Sequence, residues 1–187
     1  MKTLIIDNKD SFTYNLFHYV NQFTDHVDVL RDEQINILQI AEYDKIILSP
    51  GPGLPKDHPV LKKVLDKFHA NKSILGICLG HQAIAEYFNA ELINLKSVKH
   101  GVSSRISHQE NCNVFKGLPS DFNIGHYHSW VVNKGTLPNC LTITSENNEG
   151  IVTSFKHNEF DLKGVQFHPE SILTEFGLEM IDNWING

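Results

Sequence analysis

Short apolar runs alternate with helically spaced apolar residues through the first 88 residues of the chain. The apolar runs predict strands at residues 3–6, 27–30, 45–49 and 74–77. Apolar side chains recurring every three or four positions predict helices from residue 12 onward and over residues 35–43, 60–70 and 82–88. Because strand and helix alternate four times, we expect an α/β fold with an open, mostly parallel central sheet flanked by helices.

Beyond residue 88 the pattern changes to short strand candidates separated by polar turns. The candidates cover residues 92–95, 102–107, 112–115, 123–127, 130–132, 141–145, 151–155 and 164–167. Helical spacing returns at residues 174–186, which predict a terminal amphipathic helix. The second half therefore predicts β-rich excursions from the parallel core. With no repeat, low-complexity tract or linker, we expect one domain over residues 1–187.

The composition narrows the class of protein. The 187 residues are 41% hydrophobic and 20% charged, which is typical of a globular domain with a core. A net charge of −6 without a basic run argues against a nucleic-acid partner. No apolar segment approaches the roughly 18 residues of a membrane span, and the N-terminus is not a signal peptide. Three cysteines without CxxC spacing predict free thiols and a cytoplasmic protein.

The stretch ILGICLGHQ, residues 74–82, predicts a buried strand that turns sharply into a helix at Cys78. A cysteine between Gly76 and Gly80 is the counterpart of the serine nucleophile elbow, G-x-S-x-G. Such a side chain lies at the carboxyl edge of the sheet beside a helix N-terminus, which favours the reactive thiolate. A buried structural cysteine is the alternative. Cys112 and Cys140 have no histidine motif and are predicted to be inert thiols.

Two further segments follow predicted strands. His168-Pro169-Glu170 ends the strand at 164–167 and offers a base with a carboxylate to orient it. A lone His-x-Glu is most often structural, but together with the cysteine elbow it predicts a Cys78–His168–Glu170 triad. The Pro-Gly-Pro-Gly run at residues 50–53 follows another strand, at the edge where open α/β sheets bind ligands, although a plain connecting loop has the same composition.

Three more histidines and two polar residues near the N-terminus are interpreted as structural. His126 and His128 alternate on a strand, but without a carboxylate or cysteine at suitable spacing they predict no metal site. His81 is interpreted as support for the elbow. Asp10 or Ser11 is in position to cap the first helix.

The motif Cys78-Leu79-Gly80-His81-Gln82, with His168-Pro169-Glu170 ninety residues later, resembles the class I (triad) glutamine amidotransferases. Residues 49–53 (SPGPG) and 6–13 (IDNKDSFT) narrow the resemblance to the small subunits of anthranilate synthase and aminodeoxychorismate synthase. The match runs over essentially the whole chain, with its motifs in the same order.

The resemblance implies a role for each matching residue. Cys78 would attack the side-chain amide of L-glutamine, and His168, oriented by Glu170, would transfer protons. The backbone N–H groups of Leu79 and Gly51 would form the oxyanion hole. The substrate-binding residues would be Gly51, Pro52, Gly53, Gln82, Ser129 and Trp130, with no cofactor or metal. Leucine is usual where Trp130 stands, which leaves backbone contacts intact and the local shape of the pocket open.

The resemblance further implies that ammonia passes to a large chorismate-binding synthase subunit, in a heterodimer or heterotetramer. A separate partner is expected because the amidotransferase domain uses all 187 residues. The loop with Asp10 and Ser11 and the first helix would face this partner. The alternatives are a stand-alone γ-glutamyl hydrolase or peptidase of the same triad class and a non-catalytic regulatory scaffold. The choice between anthranilate, for tryptophan, and aminodeoxychorismate, for folate, would reside in the partner.

Overall fold

The computed structural model describes residues 1–109 and 112–187, which form a nine-stranded sheet with four α-helices. The strands are β1 Lys2–Asp7, β2 His26–Arg31, β3 Lys45–Leu48, β4 Ser73–Ile77, β5 Leu92–His108, β6 Asp121–Val132, β7 Leu141–Asn147, β8 Val152–His157 and β9 Leu162–Val165. The helices are α1 Thr13–Val20, α2 Pro59–Phe68, α3 Leu79–Tyr87 and α4 Gly177–Asn186.

The sheet has a parallel half and an antiparallel half, in the order β2-β1-β3-β4-β9-β8-β7-β5-β6. Strands β2, β1, β3, β4 and β9 pair in parallel. Strands β8, β7, β5 and β6 extend the sheet from β9 in antiparallel pairs. The predicted α/β fold is therefore confirmed, and the β-rich excursions of the second half are this extension.

Two apolar cores lie on opposite faces of the parallel half. Alternate residues of β1 enter different cores, because successive side chains of a strand point to opposite faces. Leu4 and Ile6 pack in the core that α2 and α3 cover, whereas Ile5 packs in the core that contains Leu16 of α1 and Trp184 of α4. Burial on both faces explains why these strands are continuous apolar runs.

Two predicted elements are wrong. Residues 35–43 contain a short 3₁₀ turn, Gln39–Glu42, in place of a helix. The Asn36 side chain accepts a hydrogen bond from the Leu38 N–H, and such local bonds compete with helix formation. Residues 112–115 form a 3₁₀ turn, Asn113–Phe115, in place of a strand. Val114 and Phe115 are buried in one core, whereas neighbouring strand residues would face opposite ways.

Several other elements have different boundaries from those predicted. The candidates at 92–95 and 102–107 are one strand, β5, whose pairing with β6 shifts register between residues 94 and 102. The candidates at 123–127 and 130–132 are likewise one strand, β6. Helix α3 begins directly at Leu79. Helix α4 begins at Gly177, because Phe176 adopts a left-handed conformation with φ 58°.

Contact between α3 and the sheet requires glycine at position 80. A Cβ atom there would lie 2.2 Å from the carbonyl oxygen of Leu48 in β3. We expect Gly80→Ala to lower the free energy of unfolding by about 3 kcal/mol, because overpacking displaces helix or strand. Urea denaturation measures the change. Gly135→Ala is the matched control, since its Cβ would meet Asn133 Oδ1 at an acceptable 3.4 Å. Equal urea midpoints for both variants would contradict the prediction.

Candidate active site

Cys78 occupies a strained turn between β4 and α3. Its φ of 51° and ψ of −98° are rare for a residue with a side chain, and such strain persists only where the surroundings hold it. Its N–H donates to the carbonyl of Val165 in β9 at 2.8 Å. Close glycine packing fixes the turn, because a Cβ on Gly76 would lie 2.5 Å from the Gly80 backbone. The structure thus has the elbow that the sequence predicts, with Cys78 5% exposed.

His168 and Glu170 lie just beyond β9 and form a buried pair. The Nδ1 atom of His168 is 2.8 Å from Oε1 of Glu170. Burial acts to lower the pKa of His168, but the nearby Cys78 sulfur and the hydrogen-bonded Glu170 carboxylate outweigh it and raise the pKa well above its usual value. With Nδ1–H donated to the carboxylate, Nε2 is left for the cysteine sulfur. The structure therefore brings together the three residues of the predicted triad.

The Pro-Gly-Pro-Gly run packs against the elbow. Asn8, beyond β1, donates from its side chain to the Ser49 carbonyl at 2.9 Å and so anchors the start of the run. At Gly51 a Cβ atom would lie 2.6 Å from Asn8 Cβ and 2.7 Å from Leu79 Cδ2. Glycine is thus required for the backbone at 51 to lie beside Leu79. His58, with Nε2 2.9 Å from the Pro52 carbonyl, holds the other end of the run.

Two cavities meet at Cys78. The first, of about 210 Å³, is lined by every residue that the sequence predicts for substrate binding: Gly51, Pro52, Gly53, Gln82, Ser129 and Trp130. The second, of about 320 Å³, reaches His168 and the loop with Asp10 and Ser11. The thiol therefore lies between an amino-acid-sized pocket and an opening at the loop that follows β1.

The structure adds residues that the sequence analysis missed. Val98, His100, Tyr127 and His128 complete the first cavity. Gln166 is fully buried, and its Nε2 donates to the Cys78 sulfur at 3.6 Å. A signal for Gln166 was available, since it is the polar residue of the otherwise apolar predicted strand at 164–167. Val98 and His100 gave none, because only the pairing of β5 with β6 brings them to the cavity.

Three further histidines close to the site, His126, His128 and His81, are buried. His126 Nδ1 and His128 Nε2 lie 2.9 Å apart, and Ser104 Oγ lies 2.6 Å from His126 Nε2. Burial lowers the pKa of His126 to about 4 and that of His128 to about 3. His81 packs against Phe155 beneath the elbow, with ring centroids 4.5 Å apart and the rings tilted by 33°, in keeping with its predicted supporting position.

Neither Asp10 nor Ser11 caps α1, contrary to one sequence expectation. The N-cap residue is Phe12, and no side chain caps the helix. The Asp10 carboxylate instead accepts from the Phe12 N–H at 2.7 Å, before the helix begins. Burial raises the pKa of Asp10, which lies near His168 and Glu170.

Within the described residues, no helix is long and apolar enough to cross a membrane. The family model for class-I glutamine amidotransferases matches residues 4–186. The chain therefore belongs to the class-I glutamine amidotransferase family. Its fold is also that of a solved structure from Thermoplasma acidophilum, with a TM-score of 0.89, 25% identity, and coverage of 100% of this chain and 92% of the other.

Curated relatives narrow the comparison further. The aminodeoxychorismate/anthranilate synthase component 2 of Bacillus subtilis is 40% identical over 184 residues, which are 97% of this chain and 94% of the relative. The anthranilate synthase component 2 of Pseudomonas aeruginosa is 39% identical over 189 residues, covering 97% of this chain and 94% of the relative.

The burial of His81 predicts that the folded protein loses stability at acidic pH. Burial lowers its pKa to about 3, against a smaller opposing effect of the Gly164 backbone. The folded chain then keeps His81 neutral while the unfolded chain protonates it below pH 6.5, so stability falls as the pH falls. We expect His81→Gln to lose about 2 kcal/mol less unfolding free energy than wild type between pH 7 and pH 5. Urea titrations at both pH values test this, and equal losses would contradict it.

Proposed function

We propose that this chain is the glutaminase subunit of a chorismate-using synthase, which hydrolyses L-glutamine at Cys78 and passes the ammonia to a large subunit. The observation that carries the proposal is the strained cysteine elbow, placed between an amino-acid-sized cavity and a buried His168–Glu170 pair. The synthase part of the proposal is supported by the relatives from Bacillus subtilis and Pseudomonas aeruginosa, which are named as synthase components.

In the first half of the reaction, His168 takes the proton of Cys78 and the thiolate attacks the side-chain carbonyl carbon of glutamine. The negative charge passes to the carbonyl oxygen, which the backbone N–H groups of Leu79 and Gly51 stabilise. The raised pKa of His168 favours this proton transfer. The C–N bond then breaks, His168 returns the proton to the leaving nitrogen, and ammonia departs from a γ-glutamyl thioester.

In the second half, His168 acts again as a base. It takes a proton from water, and the resulting hydroxide attacks the thioester carbonyl. The C–S bond breaks, glutamate forms, and the Cys78 sulfur regains its proton from His168. Glu170 keeps the imidazole in the tautomer that both halves need, because it accepts from Nδ1 and leaves Nε2 to the reacting groups.

The second cavity supports delivery to a partner. It opens from Cys78 past His168 toward the loop with Asp10 and Ser11. Ile172, two residues after Glu170, is 98% exposed, and Tyr14 on α1 is 63% exposed. These two side chains, one shortly after Glu170 and one shortly after the loop with Asp10 and Ser11, are the candidate contacts with the large subunit. A bound subunit would keep the ammonia from protonation in bulk water.

The remaining parts of the proposal concern organisation. Residues 1–187 act as one amidotransferase domain that pairs with the large subunit in a heterodimer or heterotetramer. Cys78, Cys112 and Cys140 are free thiols, which supports a cytoplasmic location. The Bacillus subtilis relative is named for both aminodeoxychorismate and anthranilate, so either product is compatible with this chain, and the large subunit decides between them.

Replacing the nucleophile tests the proposal directly. We expect Cys78→Ser to abolish glutamine-dependent product formation by the complex with its chorismate-binding subunit, because the hydroxyl is far less ionised than the thiol. Ammonia-dependent product formation should persist, since the large subunit uses ammonia without the triad. The assay compares aminated chorismate product with glutamine and with ammonium salt. Survival of the glutamine-dependent activity would show that the nucleophile is misassigned.

A substitution at the exposed Ile172 tests whether this surface contacts the large subunit. We expect Ile172→Asp to lower glutamine-dependent product formation at least tenfold at limiting subunit concentration, because a buried unpaired charge weakens the complex. Leu38→Asp is the matched control, since Leu38 is also exposed, at 71%, but lies in the connection between β2 and β3 and not next to the triad. Titration with the large subunit measures the affinity of both variants for it. Equal affinities for the two variants would place the interface elsewhere.

A further inference from the structure

A chain of side-chain amides links the substrate cavity to the cysteine sulfur. Gln82 Nε2 donates to the Trp130 carbonyl at 2.9 Å and to Gln166 Oε1 at 3.2 Å. Gln166 Nε2 in turn donates to Cys78 Sγ at 3.6 Å. Gln166 is fully buried and Gln82 is 3% exposed, so neither amide exchanges these partners for water.

The backbone carbonyl of Trp130 sets the direction of every bond in this chain. Oxygen and nitrogen of a glutamine amide are exchangeable by a flip, and the assignment follows from the hydrogen-bond partners. A carbonyl can only accept, so Gln82 must turn its NH₂ group toward Trp130. The second proton of that NH₂ group requires an acceptor at Gln166, which leaves the Gln166 NH₂ group toward the sulfur.

This direction matters for the nucleophile. A donor directed at sulfur stabilises the thiolate more than the thiol, because hydrogen bonds to a charged atom are stronger. A flipped Gln166 would present its oxygen to the sulfur and repel the same charge. His168, two residues further along the same segment, and the start of α3 also approach the thiol, and Gln166 supplies an additional donor.

We propose that Gln166 is a positioning residue, which holds the Cys78 thiolate in place through its amide N–H and is itself oriented by Gln82 and the Trp130 carbonyl. The inference deepens the proposed function and rests on it. It also explains why tryptophan is acceptable at position 130, since the chain uses the backbone of that residue.

Alkylation of Cys78 by iodoacetamide between pH 5 and pH 10 tests the inference without any glutamine turnover. Peptide mass spectrometry separates Cys78 from Cys112 and Cys140. We expect Gln166→Met, of similar shape and without a donor, to react about tenfold more slowly than wild type at pH 7. The two rates should converge near pH 10, where the thiol ionises without help. Gln166→Glu keeps the acceptor for Gln82 and should react more slowly still at pH 7.

The matched control is Thr144→Val, which removes a buried hydrogen bond to Ser154 in the antiparallel half of the sheet. It should follow the wild-type profile at every pH. A Gln166→Met profile that coincides with wild type, or is lower by one factor at all pH values, would overturn the positioning role. If wild-type Cys78 reacts no faster at pH 7 than Cys140, the proposed function fails as well. If Gln166→Met does not fold, the pH profile of Gln166→Glu tests the positioning role in its place.

Discussion

The close approach of α3 to strands β3 and β4 is the constraint on which the site depends. Glycine at positions 76 and 80 lets the helix backbone come so near the sheet that no side chain fits between them. Cys78 must then turn through a left-handed conformation, at a cost of about 1–3 kcal/mol for a residue with a Cβ. Burial of two cores on either side of the sheet offsets this cost. The strained turn places the sulfur of the largely buried Cys78 where both cavities meet.

Parallel pairing assembles the rest of the site around that sulfur. The carboxyl ends of parallel strands meet at one edge of a sheet, which is where open α/β folds place their ligands. Leu48 of β3 pairs beside Gly76 of β4, and Ile77 of β4 pairs beside Val165 of β9. The segments just beyond these residues are the Pro-Gly-Pro-Gly run, the elbow and the His168–Glu170 pair. One register thus sets the spacing of three loops that lie up to 120 residues apart in sequence.

The sequence predicts the parts of this arrangement that depend on local chemistry. The apolar strands of the parallel half, the glycine-flanked cysteine and the His-Pro-Glu segment are each visible in the local sequence, and the structure brings the cysteine and the His-Pro-Glu segment to the same edge of the sheet as expected. The helix predicted at 35–43 failed because an asparagine side chain competes for the backbone, which periodicity does not register. Val98 and His100 could not be predicted as cavity residues for another reason. They enter the cavity only because β5 pairs with β6 through shifted registers, a long-range event without a local pattern.

The buried histidines differ in the direction of their pKa shifts, and of the four only His168 has a pKa raised above its usual value. His81, His126 and His128 are taken out of water without a carboxylate partner, so burial holds each pKa far below neutrality. His168 is equally buried, but Glu170 and the cysteine sulfur reverse the direction of the shift. The raised pKa makes His168 the imidazole of this region best able to accept the proton that the Cys78 sulfur must lose. His128 lines the first cavity, and its neutral imidazole adds no positive charge to oppose the ammonium group of an amino-acid substrate.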